Sequence, residues 1–197
     1  MDVRKFFEDR FRKHGDSPES LDLSEEGQRR RFEVLSEVTD LTSKTVLDLG
    51  SGLGDFYGYL AGNFRGVSYV GYDFSEALVA RARSKYPGAR FEVRDILRDG
   101  ISGTFDIVVS SGMHNIETGT NDSDMGSLLG LAWNAAKEAV AVNMLSTYAD
   151  WVDEGCHRYD PKQMFSEALR LTRYTVLRHD YMPHDFTIYM YREPRAK

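Results

Sequence analysis

The sequence has little cysteine and no long hydrophobic segment. Cys156 is its only cysteine among 197 residues, which excludes an internal disulfide and a cysteine-rich metal site. No apolar run approaches the roughly 20 residues that span a bilayer. Residues 1–14 are charged and lack the apolar stretch of a secretory signal. We therefore expect a cytoplasmic protein with no membrane partner.

Positive charge is also scarce. The chain has 25 Lys and Arg against 31 Asp and Glu, a formal net charge of −6. A duplex nucleic-acid binder normally presents a basic face, so we expect no nucleic-acid partner. A small anionic substrate is not excluded, since a local basic pocket can form on an acidic protein. The length fits one domain over residues 1–197, expected as a monomer or homodimer.

Hydrophobic periodicity divides the chain into an N-terminal helical cover, residues 1–44, and a core of alternating elements, residues 45–192. One N-terminal helix is predicted to end near Gly15, and a second to begin near Asp22 or Ser24. Beyond them, apolar runs separated by helices indicate a parallel sheet with right-handed crossovers. The predicted strands are Thr45–Leu49, Val67–Tyr72, Phe91–Val93, Phe105–Ser110, Ala139–Leu145, Thr175–His179 and Phe186–Arg192.

The last two strands must form an antiparallel hairpin. The segment Asp180–Asp185 between them is too short for a crossover. The sequence therefore predicts a three-layer α/β fold with a seven-stranded, mostly parallel sheet and an antiparallel seventh strand. This layout differs from nicotinamide-binding dehydrogenases, whose sheet is normally parallel throughout.

A glycine-rich turn follows the first predicted strand. Gly50, Gly52 and Gly54 let a ligand approach the backbone, and the amides of the following helix favour an anionic group. The G-x-G-x-G spacing places Asp55 where the nicotinamide fingerprint has glycine. Asp55 either caps this helix or contacts the amino group of a cofactor.

Two further acids follow the next strands. Asp73 ends the second strand, where a carboxylate accepts hydrogen bonds from both ribose hydroxyls. Asp95 is predicted to end the third strand, where it meets an adenine amino group. Glycine turn and acids together predict a site for an adenosine-containing cofactor.

With these motifs, residues 44 to 192 resemble the class I, Rossmann-like S-adenosylmethionine-dependent methyltransferases. The glycine turn matches the family's first motif, the acids match its ribose and adenine motifs, and residues 105–111 look like its fourth motif. The resemblance implies strand order 3-2-1-4-5-7-6 and S-adenosylmethionine as cofactor, with S-adenosylhomocysteine as product. The residues expected to bind it are Asp48, Gly50, Ser51, Gly52, Gly54, Asp55, Asp73, Phe74, Asp95, Ile96 and Ser111.

Methyl transfer from a sulfonium is a direct displacement, so positioning supplies much of the rate. A general base is needed only if the nucleophile arrives protonated. His114 and His184 are the candidate bases, because they follow the fourth and sixth strands. Both also fit plain packing or turn roles. The candidate substrate-binding residues are Arg31, Asn115, Tyr181 and Asp185, and the aromatic residues Tyr148, Trp151 and Tyr159 either wall the pocket or pack.

No metal is expected. Residues 110–115, at the end of the fourth strand, include no acid, and His179 and His184 share no fixed face. The chain has little beyond the core fold, which favours a small-molecule acceptor. The alternatives are a protein or RNA acceptor, a non-catalytic cofactor-binding module and, less favoured, a nicotinamide-dependent oxidoreductase.

Overall fold

The computed structural model describes residues 2–150 and 155–195. In these ranges the strands are β1 (Thr45–Leu49), β2 (Ser68–Asp73), β3 (Arg90–Val93), β4 (Phe105–Ser111), β5 (Ala136–Leu145), β6 (Thr175–Met182) and β7 (Asp185–Tyr191). The α-helices are α1 (Val3–His14), α2 (Glu25–Ser36), α3 (Asp55–Asn63), α4 (Glu76–Lys85), α5 (Ile96–Asp99), α6 (Asn121–Ala135) and α7 (Pro161–Leu171). A short 3-10 helix, Pro18–Leu21, lies between α1 and α2.

The strands form one sheet in the order β3-β2-β1-β4-β5-β7-β6. Strand β1 pairs in parallel with β2 and β4, whereas β7 pairs antiparallel with both β5 and β6. The predicted α/β fold, strand order and terminal hairpin are therefore confirmed. The hairpin is tighter than expected, because β6 runs to Met182 and pairs it with Asp185.

Local capping explains where the helices begin. The side chain of Ser24 accepts a hydrogen bond from the amide of Gly27 and fixes the start of α2. Asp160 caps α7, with Pro161 in the first turn. Strand β3 ends at Val93 as predicted, but Asp95, which was expected to end that strand, instead caps the four-residue helix α5. Its carboxylate is held by the helix that follows the strand.

Two hydrophobic layers cover the faces of the sheet. Alternation along β1 sends Leu47 to a layer with α6 and α7, and Val46 to a layer with α2, α3 and α4. Both side chains are fully buried, each stabilising the fold by about 1.5–3 kcal/mol. The sheet is thereby held between two helical layers, and its strand ends stay open for a site.

The N-terminal helices differ in how they pack. Helix α1 has no buried residue, and Asp16 just beyond it forms ion pairs with Arg81 and Lys85 of α4. Helix α2 lies in the core layer, where its carbonyl at Val34 accepts a hydrogen bond from the Tyr189 hydroxyl at 2.6 Å. No helix within the described ranges is long and apolar enough to cross a bilayer.

Candidate active site

A cavity of about 590 Å³ opens at the carboxyl ends of β1, β2 and β4. This is the edge where open parallel sheets bind ligands, and the volume is typical of small-molecule sites. Eleven of the residues predicted from sequence line it: Arg31, Gly50, Gly52, Asp73, Phe74, Asp95, Ile96, Ser111, His114, Asn115 and His184.

Asp73 is the central acid of this cavity. Its carboxylate is buried and accepts hydrogen bonds from the amides of Gly52 and Ser75, each at 2.9 Å. Burial raises the pKa of this carboxyl, while the two amide donors act in the opposite direction. Each carboxylate oxygen keeps a further acceptor site. Asp73 can therefore accept two hydroxyl donors from the cavity.

The glycine turn passes close to the N-terminal segment. Gly52 has φ +53°, and a Cβ atom added there would lie 2.8 Å from Cδ1 of Leu21. A Cβ atom on Gly50 would lie 3.3 Å from the side chain of Met113. Only glycine leaves room at these two positions. The cavity thus extends along bare backbone between the N-terminal segment and the loop after β4.

Asp95, Phe74 and Ile96 lie on the β2–β3 side of the cavity. Asp95 is exposed and lines it, with one oxygen accepting from the amide of Arg98 at 3.4 Å. The guanidinium of Arg4 lies 5.3 Å from the centre of the Phe74 ring. An acceptor beside apolar side chains suits a flat heterocycle with an amino group.

Four of the predicted cofactor ligands are absent from the cavity lining: Asp48, Ser51, Gly54 and Asp55. Asp48 is buried and accepts a hydrogen bond from Tyr69 at 2.5 Å, and burial raises its pKa to about 7. The capping role predicted for Asp55 is wrong, because Gly54 occupies the cap position of α3. The carboxylate of Asp55 instead accepts a bond from Lys85 at 2.6 Å.

His114 is held in a backbone conformation that few non-glycine residues adopt, with φ +63°. Its carbonyl accepts hydrogen bonds from Asn121 and Tyr159, both at 2.8 Å. Nε2 of its ring is buried and has no hydrogen-bond partner in the described part of the chain. Burial lowers the pKa of this histidine. The ring is therefore neutral at pH 7, and its buried nitrogen is unpaired among the described residues.

Arg31 and Asp185, which are 154 positions apart, form a buried ion pair. Nε and Nη2 of Arg31 donate to the Asp185 carboxylate at 2.6 and 3.1 Å. Nη1 is buried without a hydrogen-bond partner among the residues described. Two predicted substrate-binding residues are thus brought together, with one donor group of the pair unused.

Other predicted substrate residues lie in different surroundings. His184 lines the cavity, whereas the hydroxyl of Tyr181 is bonded to Asn143 at 2.6 Å and is absent from the lining. Tyr159 is fully buried and Tyr148 is exposed, neither in the lining. Trp151 lies outside the described residues.

Sequence reasoning missed several lining residues. Val3, Phe7 and Leu21 come from the N-terminal segment, and Met113 and Thr118 from the loop after β4. The four-residue spacing of Val3 and Phe7 indicates one helix face, but spacing alone does not show that this face reaches the cavity. No sequence signal marks Thr118 as part of the site.

The residues present fit S-adenosylmethionine. A buried acid with only backbone donors suits ribose hydroxyls, and bare glycine backbone suits a closely packed ligand. The hydroxyl of Ser111 at the end of β4 is buried without a partner in the described ranges, and it lines the same cavity. The donors and acceptors of the cavity thus match those of this cofactor.

Comparisons with known proteins agree with this geometry. Residues 46–138 match the family model described as a methyltransferase domain. Trans-aconitate 2-methyltransferase of Variovorax paradoxus is 42% identical over 72 residues, which are 36% of this chain and 28% of the relative. The enzyme of the same name from Delftia acidovorans is 37% identical over 76 residues, 39% of this chain and 28% of the relative. The matches thus span under a third of these relatives.

Solved structures extend the likeness to nearly the whole fold. Magnesium protoporphyrin IX methyltransferase of Synechocystis, solved with S-adenosylhomocysteine, has a TM-score of 0.71 at 14% identity and covers 97% of this chain and 98% of that chain. A TehB-like S-adenosylmethionine-dependent methyltransferase of Corynebacterium glutamicum has a TM-score of 0.68 at 17% identity, with the same coverage. At these identities the likeness shows the fold. Residues 46–138 thus match a methyltransferase domain, and nearly the whole chain has the fold of solved S-adenosylmethionine-dependent methyltransferases.

Proposed function

We propose that this protein transfers the methyl group of S-adenosylmethionine to a small-molecule acceptor. The observation that carries the proposal is the buried Asp73 carboxylate. It faces the cavity beside the glycine turn, and its hydrogen bonds in the described part of the chain come from backbone amides alone. A carboxylate held in this way has acceptor sites left for the two hydroxyls of a ribose.

The other cofactor contacts follow from the cavity. Asp95 accepts from the adenine amino group, while Phe74 and Ile96 pack against the ring. Gly50 and Gly52 leave room for the methionine portion, and Ser111 lies on the β4 side of it. When bound, the cofactor supplies an electrophilic methyl group on a sulfonium sulfur. Four residues outside the cavity lining support the glycine turn instead of contacting the cofactor: Asp48, Ser51, Gly54 and Asp55.

The protein contributes mainly by positioning and by moving a proton. His114 lines the cavity, is neutral at pH 7 and has a buried ring nitrogen without a hydrogen-bond partner in the described ranges. It accepts the proton of an acceptor that arrives protonated. His184, on the β6–β7 side, is the second candidate for this role. Burial of the acceptor excludes water from the displacement.

Two observations favour a small-molecule acceptor. The cavity of about 590 Å³ lies partly under N-terminal residues, so it suits a ligand that enters whole. The related enzymes named above are called after small molecules, trans-aconitate and magnesium protoporphyrin IX. A cytoplasmic location belongs to the same proposal, supported by the single cysteine.

Transfer from methyl-tritiated S-adenosylmethionine tests the proposal. A cell extract is divided into a small-molecule fraction, a protein fraction and an RNA fraction, and each is offered as acceptor. We expect wild-type protein to label the small-molecule fraction, and Asp73→Ala to label it at least tenfold more slowly at limiting cofactor. Label in protein or RNA would contradict the acceptor class, and no label in any fraction would contradict catalysis.

A further inference from the structure

One buried cation in the cavity keeps an unused donor group. The side chain of Arg31 is 5% exposed and that of its partner Asp185 is fully buried. Asp185 engages Nε and Nη2, so the carboxylate fixes the guanidinium plane and leaves Nη1 free of it, on a residue that lines the cavity. No hydrogen-bond acceptor for Nη1 occurs in the described ranges. A donor fixed and buried in this way is built to receive an acceptor from a ligand.

A second polar group converges on the same point. Gly112 has φ +66°, and a Cβ atom placed on it would lie 3.1 Å from Nδ2 of Asn115 and 3.5 Å from Nη1 of Arg31. The amide of Asn115 also has a buried oxygen without a partner in the part of the chain described. The two nitrogen donors, from α2 and the loop after β4, therefore lie close together beside Gly112, at a gap narrower than a Cβ atom needs.

These donors lie away from the predicted ribose contact. Asp185 pairs with Leu145 at the end of β5 and with Met182 of β6, so Arg31 is anchored over the β5-β7-β6 side of the sheet. Asp73 ends β2, and β1 and β4 separate that strand from β5. The gap beside Gly112 therefore faces the side of the cavity left for the acceptor.

The charge of the cavity restricts what the gap can take. Four aspartates line the cavity, Asp22, Asp73, Asp95 and Asp124, and they outnumber its two arginines, Arg31 and Arg94. A dianionic phosphate would be repelled by these acids, and the two donors could satisfy few of its oxygens. A carboxylate has one charge and two planar oxygens, the geometry that a guanidinium recognises.

We propose that Arg31 and Asn115 bind a carboxylate of the acceptor, so that the methylated substrate is a small carboxylic acid. This inference rests on the proposed function, because it names the substrate class of the same site. Arg31 is then a specificity-determining residue held in place by Asp185. The rival source of a carboxylate is the methionine end of the cofactor itself.

Cofactor binding separates these two sources. Arg31→Lys keeps a cation beside Asp185 but removes the fork that carries Nη1, and Asn115→Ala removes the second donor without changing charge. Titration calorimetry with S-adenosylhomocysteine should give affinities within threefold of wild type for both. A tenfold loss for S-adenosylhomocysteine, with unchanged affinity for methylthioadenosine, which lacks the amino-acid end, would overturn the proposal.

The second test of the proposal measures which small molecules serve as methyl acceptor. The small-molecule fraction is passed over a strong anion exchanger, and we expect acceptor activity in the retained part, lost after its carboxylates are converted to amides. Arg31→Lys should need at least tenfold more of the retained part for half-maximal rate, while Arg30→Lys, on the exposed side of the same helix, should match wild type. Acceptor activity in the unretained part, or an unaffected Arg31→Lys, would overturn it.

A binding test keeps the inference separate from the proposed function. If no fraction is methylated, protein loaded with S-adenosylhomocysteine is titrated with phenylacetate and with phenylacetamide, its neutral counterpart. At least tenfold preference for the carboxylate in wild type and Arg30→Lys, lost in Arg31→Lys, supports the carboxylate site even though methyl transfer has failed. Equal or absent binding of both compounds, or a preference that survives Arg31→Lys, overturns it.

Discussion

The two sides of the cavity differ in how their polar groups are satisfied. On the β2 side, both carboxylate oxygens of Asp73 accept hydrogen bonds from backbone amides. On the β4–β7 side, polar atoms of Arg31, His114 and Asn115 are buried without partners among the described residues. Buried polar groups rarely stay unpaired in proteins. The central acid of the first side is thus held by the backbone before a ligand arrives, whereas three side chains of the second side keep atoms for a ligand that are unpaired within the described ranges.

This difference follows from the chain segments that build each side. The ribose side consists of two strand-to-helix turns whose own amides hold Asp73. The acceptor side joins side chains from α2, the loop after β4 and the start of β7. A backbone-held site depends little on surrounding side chains, whereas a side-chain site changes its ligand with each substitution. We therefore propose that the first side binds the cofactor and that the second determines specificity.

The largest effect is expected from His114→Ala. If His114 takes the acceptor proton, turnover falls by about 10²–10⁴-fold. Affinity for S-adenosylhomocysteine should stay within about threefold, under 1 kcal/mol, because the ring is on the acceptor side. Steady-state rates and calorimetry measure the two quantities. His179→Ala is the control, since that residue is absent from the cavity lining. Wild-type turnover in His114→Ala would remove the assigned role.

The pH dependence sharpens this assignment. Burial lowers the pKa of His114, so the acid limb of the rate profile should lie below about 6.5, the ordinary value for histidine. The rate should be full above that value and fall as pH decreases through the lowered pKa, because the protonated ring cannot accept a proton. An acid limb above 6.5 would exclude His114 as the base.

On the β2 side of the cavity, we expect Gly52→Val to weaken cofactor binding most. The new Cβ would lie 2.8 Å from Leu21, and the backbone at φ +53° disfavours a branched residue. We expect calorimetry to show at least a hundredfold loss of S-adenosylhomocysteine affinity. Gly62→Val in α3 is the control, since a Cβ there meets nothing within 4 Å. Normal cofactor binding by a folded Gly52→Val would mean that the turn is not the cofactor contact.

Asp48→Asn tests the ionisation of the buried carboxyl group behind the glycine turn. Burial raises the pKa of Asp48 to about 7, above the unfolded value of about 3.9. Between these values the folded protein binds more protons than the unfolded chain, so its stability decreases as pH rises and levels off above about 7. The neutral asparagine does not lose stability in this way. The free energy of unfolding of the variant relative to wild type, measured by chemical denaturation, should therefore increase across that window to roughly 2–4 kcal/mol.

Asp106→Asn is the control for this prediction, because the pKa of Asp106 is shifted in the opposite direction. The amide of Thr45 holds the pKa of Asp106 below its ordinary value. Its contribution to stability is present above the unfolded pKa and lost as pH falls through the lowered one, so Asp106→Asn should destabilise the protein at neutral pH. A pH-independent effect of Asp48→Asn would show that Asp48 ionises normally in the fold.

The smallest effect is expected from Asp55→Ala. Asp55 bonds Lys85 and is absent from the cavity lining, so S-adenosylhomocysteine affinity should stay within about threefold of wild type. Calorimetry on this variant beside Gly52→Val compares two neighbouring positions of one turn. A tenfold loss of S-adenosylhomocysteine affinity in Asp55→Ala would place that carboxylate in the cofactor site. Residues outside the cavity lining would then also contact the cofactor.

The fold and the ribose side could be predicted because their signals are local. Strand spacing and the short last connection indicated the hairpin, and Asp73 directly ends its strand. The pairing of Arg31 with Asp185 could not be predicted, because it depends on how α2 packs against a strand 154 positions later. The left-handed backbone of His114 likewise depends on Asn121 and Tyr159, which no spacing rule connects to it.

Titration of the purified protein with S-adenosylhomocysteine and NAD, in wild type and Asp73→Ala, tests the central claim most directly. We expect wild type to bind S-adenosylhomocysteine in preference to NAD. Asp73→Ala should keep its fold and lose at least about tenfold in affinity, because it removes a charged acceptor worth roughly 1.5–3 kcal/mol per hydrogen bond. Unchanged affinity in the variant, or tighter binding of NAD by wild type, would contradict the claim.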